Sequence, residues 1–227
     1  MQKLSIRQFF ICMLSLPKSV YVSLRLLPFK QAIRVPMLIH YRCKILDLSG
    51  TCEFGNGGGS FGSFSFGFGC YSEIDSTDQV PILKVAGKIN VSAPVRFGPC
   101  SRLINEKNTY LSLGKYFLNS AKKTISNCGR ISIGDNFLSS LDTWIVDTNY
   151  HRILNVSTKE ISKPEGTITI GNHVWLGARA VIQKGAEIPD GCIVGACSLV
   201  NKKFEKTNLL LAGVPASPKK DNVEYII

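Results

Sequence analysis

The chain has 227 residues, of which 44% are hydrophobic, and 27 Lys and Arg face 16 Asp and Glu for a net charge of +11. That length and apolar content suit one decorated domain with a continuous core. The eight cysteines (Cys12, Cys43, Cys52, Cys70, Cys100, Cys128, Cys192 and Cys197) show no C-x-x-C spacing, which argues against a disulfide framework or a zinc site and for a reducing cytoplasm. The charge does not argue for nucleic acid: no recognised nucleic-acid motif accompanies it, and the basic excess sits in an apolar N-terminal region.

Residues 1–50 hold eight basic side chains (Lys3, Arg7, Lys18, Arg25, Lys30, Arg34, Arg42, Lys44) and one acid, Asp47. Lys3 and Arg7 precede an apolar run, Phe9 to Leu16, that superficially resembles a signal peptide. No small-x-small cleavage site follows, and Pro17 with Lys18 ends the run. The run is also too short to span a bilayer. Apolar residues at irregular three-to-four spacing up to Leu27 predict one or two short helices before Pro28. The favoured reading is that they cap a solenoid end; the alternative is a basic amphipathic face lying on an anionic membrane surface.

From Ile39 the texture turns to short β-type runs. Gly55 to Gly69 is glycine-rich, but no Gly-Lys-Ser/Thr follows, and Phe64, Phe66 and Phe68 alternate as in a strand. A loop feeding an early coil is the better reading than a nucleotide site. Leu113-Gly114, Ile133-Gly134 and Ile170-Gly171 then pair an aliphatic residue with glycine, at separations of 20 and 37 residues. One coil of a three-sided solenoid needs about 18. The middle of the longer gap is polar, so a loop over roughly Asp147 to Gly166 is predicted to bulge from one coil; such loops are usually functional.

From Ile170 an aliphatic residue returns at every sixth position: Ile170, Leu176, Ile182, Ile188, Val194, Val200. Four places after each of the first five sits Val174, Ala180, Ala186, Cys192 or Ser198. A period of six fits neither a helix nor a simple strand. It fits a parallel β-helix whose coils stack about 4.8 Å apart, with Cys192 acting as a small inward hydrophobe.

Three histidines exist: His40 in the N-terminal cap region, His151 in the predicted loop and His173 in a turn of the array. A positioned histidine is the usual general base for activating a hydroxyl, against the plain reading of a solvated loop residue. A three-histidine zinc site, as in γ-type carbonic anhydrases, is disfavoured because His151 and His173 lack a third partner, so no metal is expected.

Gly171 to Ala178 (Gly-Asn-His-Val-Trp-Leu-Gly-Ala) resembles the Val-Trp-Ile-Gly phrase of hexapeptide-repeat acyltransferases. Ile193 to Val200 and Ala212 to Ala216 resemble their later signatures. Asp147-Thr148-Asn149-Tyr150-His151 is similar to the catalytic-loop phrase Asp-Thr-Asp-x-His of capsule and lipopolysaccharide O-acetyltransferases, relatives of the galactoside and maltose enzymes. The resemblance runs from about Lys44 to Pro218. It implies an all-β fold, a left-handed parallel β-helix, with a short helical N-terminal segment and an extruded loop. It also implies a homotrimer with sites between subunits and acetyl-CoA as donor. The acceptor would be a sugar or lipid-linked glycan hydroxyl in a surface polysaccharide precursor, with N-acetylation of an amino-sugar nucleotide or a non-catalytic scaffold as rival readings. His151 falls on the catalytic base, and the backbone N–H of Ala178 where the thioester carbonyl is held. Trp175 falls on the pantetheine channel, with coil-surface packing as the alternative. Ala196, Asn201 and Lys202 fall on contacts to the lower pantetheine and nucleotide end. Lys219 and Lys220 are placed to meet CoA phosphates or to be a solvated tail. Asn149 stands where many relatives carry an acid, leaving Asp147 or Glu165 to orient the His151 ring. Lys122 falls where galactoside enzymes carry an acceptor-binding Asn, so galactoside specificity is not carried over.

The expected organisation is a basic, apolar helical segment over 1–42, the β-helix over 43–210 with its loop at 147–166, and a tail over 211–227. A cytoplasmic protein is expected, with peripheral contact at the inner face of the membrane as an option.

Overall fold

The computed structural model describes residues 6–55, 59–69 and 79–226. Lys3, Cys70 and part of the glycine-rich stretch lie outside the described residues. Short strands follow one another around a three-sided coil, visiting a first, a second and a third sheet in rotation. The first sheet stacks Met37–Ile39, Phe64–Phe66, Val95–Phe97, Phe117–Asn119, Leu138–Ser139, Trp175–Leu176, Ile193–Val194 and Leu210–Gly213. The second runs from Lys44–Asp47 to Leu199–Val200, and the third from Thr51–Phe54 to Glu187–Ile188. Neighbouring strands in these stacks are parallel; a final strand, Ala216–Lys220, turns back antiparallel on Leu210–Gly213.

The six-residue period is a packing rule. Ile170, Leu176, Ile182, Ile188, Val194 and Val200 are all buried, as are Val174, Ala180, Ala186, Cys192 and Ser198. In the earlier coils the same interior is filled by a ladder of rings, Phe66, Phe97, Phe117 and Phe137, with successive centroids 5.2, 4.9 and 4.9 Å apart. Leu113, Ile133 and Ile170 stack in register in the third sheet, as their shared aliphatic-glycine phrase predicts. The corner between the third and first sheets repeats a left-handed residue: Asn136, His173, Gly191 and Asn208 have φ of 55°, 53°, 70° and 55°. His173, Gly191 and Asn208 each donate their N–H to the coil before, on Asp135, Asn172 and Asp190. His173 is therefore a corner residue, of a type that tolerates this conformation better than most.

One expectation needs correcting. The N-terminal segment folds as one helix, α1, Ile6–Leu26, running through Pro17, followed by α2, Phe29–Ala32. Pro17 lies on the exposed face, so the hydrogen bond it cannot make is lost away from the packed side. α1 is 21 residues long and holds an 18-residue window of mean hydropathy 1.4, so it is long and apolar enough to cross a membrane by length and composition, unlike the shorter run Phe9 to Leu16. Met37–Ile39 is the first strand of the coil, paired with Phe64–Phe66. The tail is structured as well, with Tyr225 buried.

Candidate active site

The loop from Asp147 to Gly166 leaves the coil between Trp144–Val146 of the second sheet and Thr167–Ile170 of the third. It is an antiparallel arm. Its root is closed by Gly166 N–H to Asp147 O (2.8 Å) and Asn149 N–H to Pro164 O (2.9 Å). Further out, Ile153–Leu154 pairs with Ile161–Ser162. Lys184 steadies the returning strand by donating to the carbonyls of Lys163 (3.0 Å) and Pro164 (3.3 Å).

His151 stands exposed near the root of this arm. The residue before it is pinned. Tyr150 has φ 60°, donates its N–H to Thr148 Oγ1 (2.9 Å), and its hydroxyl meets Ser126 Oγ at 2.6 Å. Ser126 was not singled out from sequence, because its link to the loop spans 24 residues.

Asp147 closes onto the preceding coil. Its side chain is buried, and its two oxygens accept the N–H groups of Cys128 (2.7 Å) and Gly129 (2.8 Å). Burial pushes its pKa up, and those backbone donors pull it down. With both oxygens accepting N–H groups of the preceding coil, Asp147 anchors the root of the arm. Glu165 lies opposite Thr148 in the root bridge.

The other candidates fall into two groups. Trp175 pairs with Ile193 in the first sheet, and Leu176 with Val194. Continuing that register sets Ala178 beside Ala196 at the corner between the first and second sheets. The carbonyl of Ala178 accepts Cys197 N–H at 2.9 Å; among the described residues no acceptor meets its own N–H. Ala196 is exposed. Gly177 must lack a side chain, because a Cβ there would lie 2.6 Å from Ala196 N and 2.9 Å from Gly195 C. Trp175 is half-buried and donates Nε1–H to Ser140 Oγ at 3.1 Å. Tyr225 of the tail stacks on His173 at 4.2 Å and sits 6.1 Å from the Trp175 ring. Lys219 is exposed on the strand that ends this sheet. Asn201 and Lys202 form the second group: they are exposed and follow Leu199–Val200 of the second sheet, at the corner from which the arm emerges.

One chain thus holds His151, Asn201 and Lys202 at one corner of the prism and the Ala178–Ala196 column at another. Among the described residues, no group of three or more His, Cys, Asp or Glu side chains is placed to hold a metal ion.

Residues 167–202 match the family described as bacterial transferase hexapeptide (six repeats). The chain is 35% identical over 107 residues to the galactoside O-acetyltransferase of Escherichia coli strain K12, covering 46% of this chain and 51% of that protein. It is 33% identical over 86 residues to the polysialic acid O-acetyltransferase of Neisseria meningitidis, covering 38% and 36%. The chain thus spans about half the length, or less, of these curated relatives. The solved structure of the polysialic-acid-specific acetyltransferase NeuO aligns over 84% of each chain at 16% identity, with a TM-score of 0.43. Residues 167–202 of this chain thus carry the six hexapeptide repeats of that family.

Proposed function

We propose that this chain is an acetyl-CoA-dependent O-acetyltransferase, a homotrimer of left-handed β-helices that acetylates a sugar hydroxyl in a surface polysaccharide precursor. The observation that carries this reading is the exposed His151 on a built arm, its preceding residue pinned by Ser126. A solvated loop histidine needs no such support.

His151 takes the proton of the acceptor hydroxyl as its oxygen attacks the thioester carbonyl carbon. The carbon–sulfur bond breaks, and the imidazolium returns the proton to the departing thiolate. The N–H of Ala178 receives the negative charge that develops on the carbonyl oxygen. Trp175 and the exposed backbone at Ala196 line the pantetheine path, and Asn201, Lys202 and Lys219 meet the nucleotide end. Because His151 and the Ala178–Ala196 column lie at different corners of one prism, the arm of one copy serves the column of the next. The exposed apolar side chains on the arm, Ile153, Leu154, Val156 and Ile161, support that packing.

The test is thioester cleavage with acetyl-CoA and a panel of sugar acceptors, using native protein and His151→Ala. A turnover loss of about 10²-fold or more is expected for a lost positioned base. Equal turnover in the two proteins would remove His151 from this role, and failure of the native protein to bind CoA would remove the reaction.

A further inference from the structure

The helix α1 is mounted inside out. Its buried side chains include Ser15, Ser19 and Ser23, spaced four apart on one face. Two of these hydroxyls accept N–H groups from the open end of the solenoid: Ser15 Oγ from Tyr41 (3.0 Å) and Ser19 Oγ from Ile39 (2.9 Å). Lys18 donates Nζ to the carbonyl of Tyr41 and to that of Cys43 (2.7 Å). Val22 and Leu26 complete the packed side. The helix therefore covers the first coil's exposed edge with small hydroxyls, a capping use that leaves its apolar face outward.

That outward face is large and unmixed. Ile6, Phe9, Phe10, Met13, Leu14 and Leu24 are all at least half exposed, from 50% for Met13 to 78% for Ile6. Along its flank run Arg7 and Arg25, both exposed. They are 18 residues apart, which is five full turns, so they lie on one line along the helix. No Asp or Glu occurs before Asp47, and exposed Phe29 and Lys30 extend the same mixture into α2.

From this pairing of an apolar stripe with two flanking arginines and no acid, we infer that α1 lies in the surface of an anionic phospholipid bilayer, with the β-helix held against that surface. An apolar stripe alone would suit a second copy of the chain; the arginine line and the missing acids complement lipid phosphates. The helix lies flat rather than spanning, because crossing would tear Ser15, Ser19 and Lys18 from the edge they satisfy. This inference does not depend on the acyl-transfer reading.

The test uses the full chain with vesicles of phosphatidylcholine alone or with added phosphatidylglycerol, read by co-sedimentation. Binding to the anionic vesicles is expected, weakened about tenfold or more by raised salt, by Arg7→Glu with Arg25→Glu, and by Phe9→Ser with Phe10→Ser and Leu14→Ser. All these side chains are exposed, so circular dichroism should show the β-helix intact in each variant. Failure to bind anionic vesicles would overturn the inference, as would unchanged binding by the triple serine variant. A smaller assembly for that variant in sedimentation velocity, with vesicle binding unchanged, would assign the face to a second copy. Resistance of native protein to alkaline extraction from the vesicles would make the helix a span instead.

Discussion

Replacing Lys123 with methionine should stabilise the protein at acid pH and weaken it slightly at alkaline pH. Lys123 is fully buried inside the coil, where its Nζ donates to Ser139 Oγ (3.2 Å) and Thr143 Oγ1 (3.0 Å) and sits 5.0 Å from the Phe137 ring centroid. Both acceptors are neutral, so no opposite charge there offsets the cost of burying one. Burial accordingly lowers its pKa from 10.5 to about 7. Between those values the unfolded chain holds the proton and the folded chain does not, so stability rises with pH across that window. The cost is fully present below about pH 7 and gone above about 10.5. At about 1.4 kcal/mol per pH unit the interval amounts to roughly 5 kcal/mol. Lys123→Met leaves two hydroxyls without their donor, which costs back about 1–2 kcal/mol. The net expectation is a gain of about 3 kcal/mol near pH 6 and a loss of about 1–2 kcal/mol at the alkaline end. Urea unfolding of both proteins across this range reads the difference as a midpoint shift. Equal midpoints near pH 6, or a difference that does not change with pH, would refute the reasoning.

Other substitutions probe the arm and the coil stack. Ser126→Ala should cost about 1 kcal/mol in denaturant unfolding and lower kcat while leaving KM for acetyl-CoA unchanged, with Ser126→Thr restoring kcat; an unaltered kcat in Ser126→Ala would show that the Tyr150 bond positions nothing. Asp147→Ala strips Cys128 and Gly129 of their acceptor and should cost about 1–3 kcal/mol, with faster limited proteolysis at the arm. Unchanged proteolysis would mean that the arm is held elsewhere. Gly177→Ala forces a Cβ against the backbone of the next coil and should cost about 2 kcal/mol or more. A variant melting with the native protein would contradict that close stacking.

The regular coils were legible from sequence because the prism interior asks little beyond size. An aliphatic at Ile170 and its successors, with a small residue four places on, states the packing rule outright. The irregular coils state it less clearly, and there reading failed in specific ways. Lys123 looks like any solvated lysine; only the ring of neighbours contributed by the next coil, Phe137, Ser139 and Thr143, shows that it is inside. Ser15, Ser19 and Ser23 look like the wet face of a helix, yet the unpaired N–H groups at Ile39 and Tyr41 draw two of them inward and turn the apolar face out. The arm was visible as a polar interruption of the repeat. The direction of the Asp147 carboxylate was not, since amides 18 and 19 residues away set it. The Tyr225 contact, closed by its hydroxyl on Asn136 O at 2.6 Å, bridges 89 residues and left no local trace.

A site divided between copies is most directly tested by complementation. His151→Ala removes the proposed base, and Ala196→Arg, at an exposed position, blocks the proposed pantetheine path; each protein alone should be inactive. If His151 of one copy serves the Ala178–Ala196 column of the next, oligomers co-assembled from equal amounts should recover activity at about a quarter of their sites. Verified mixed oligomers that stay inactive would contradict the account, because both halves of the site would then belong to one chain.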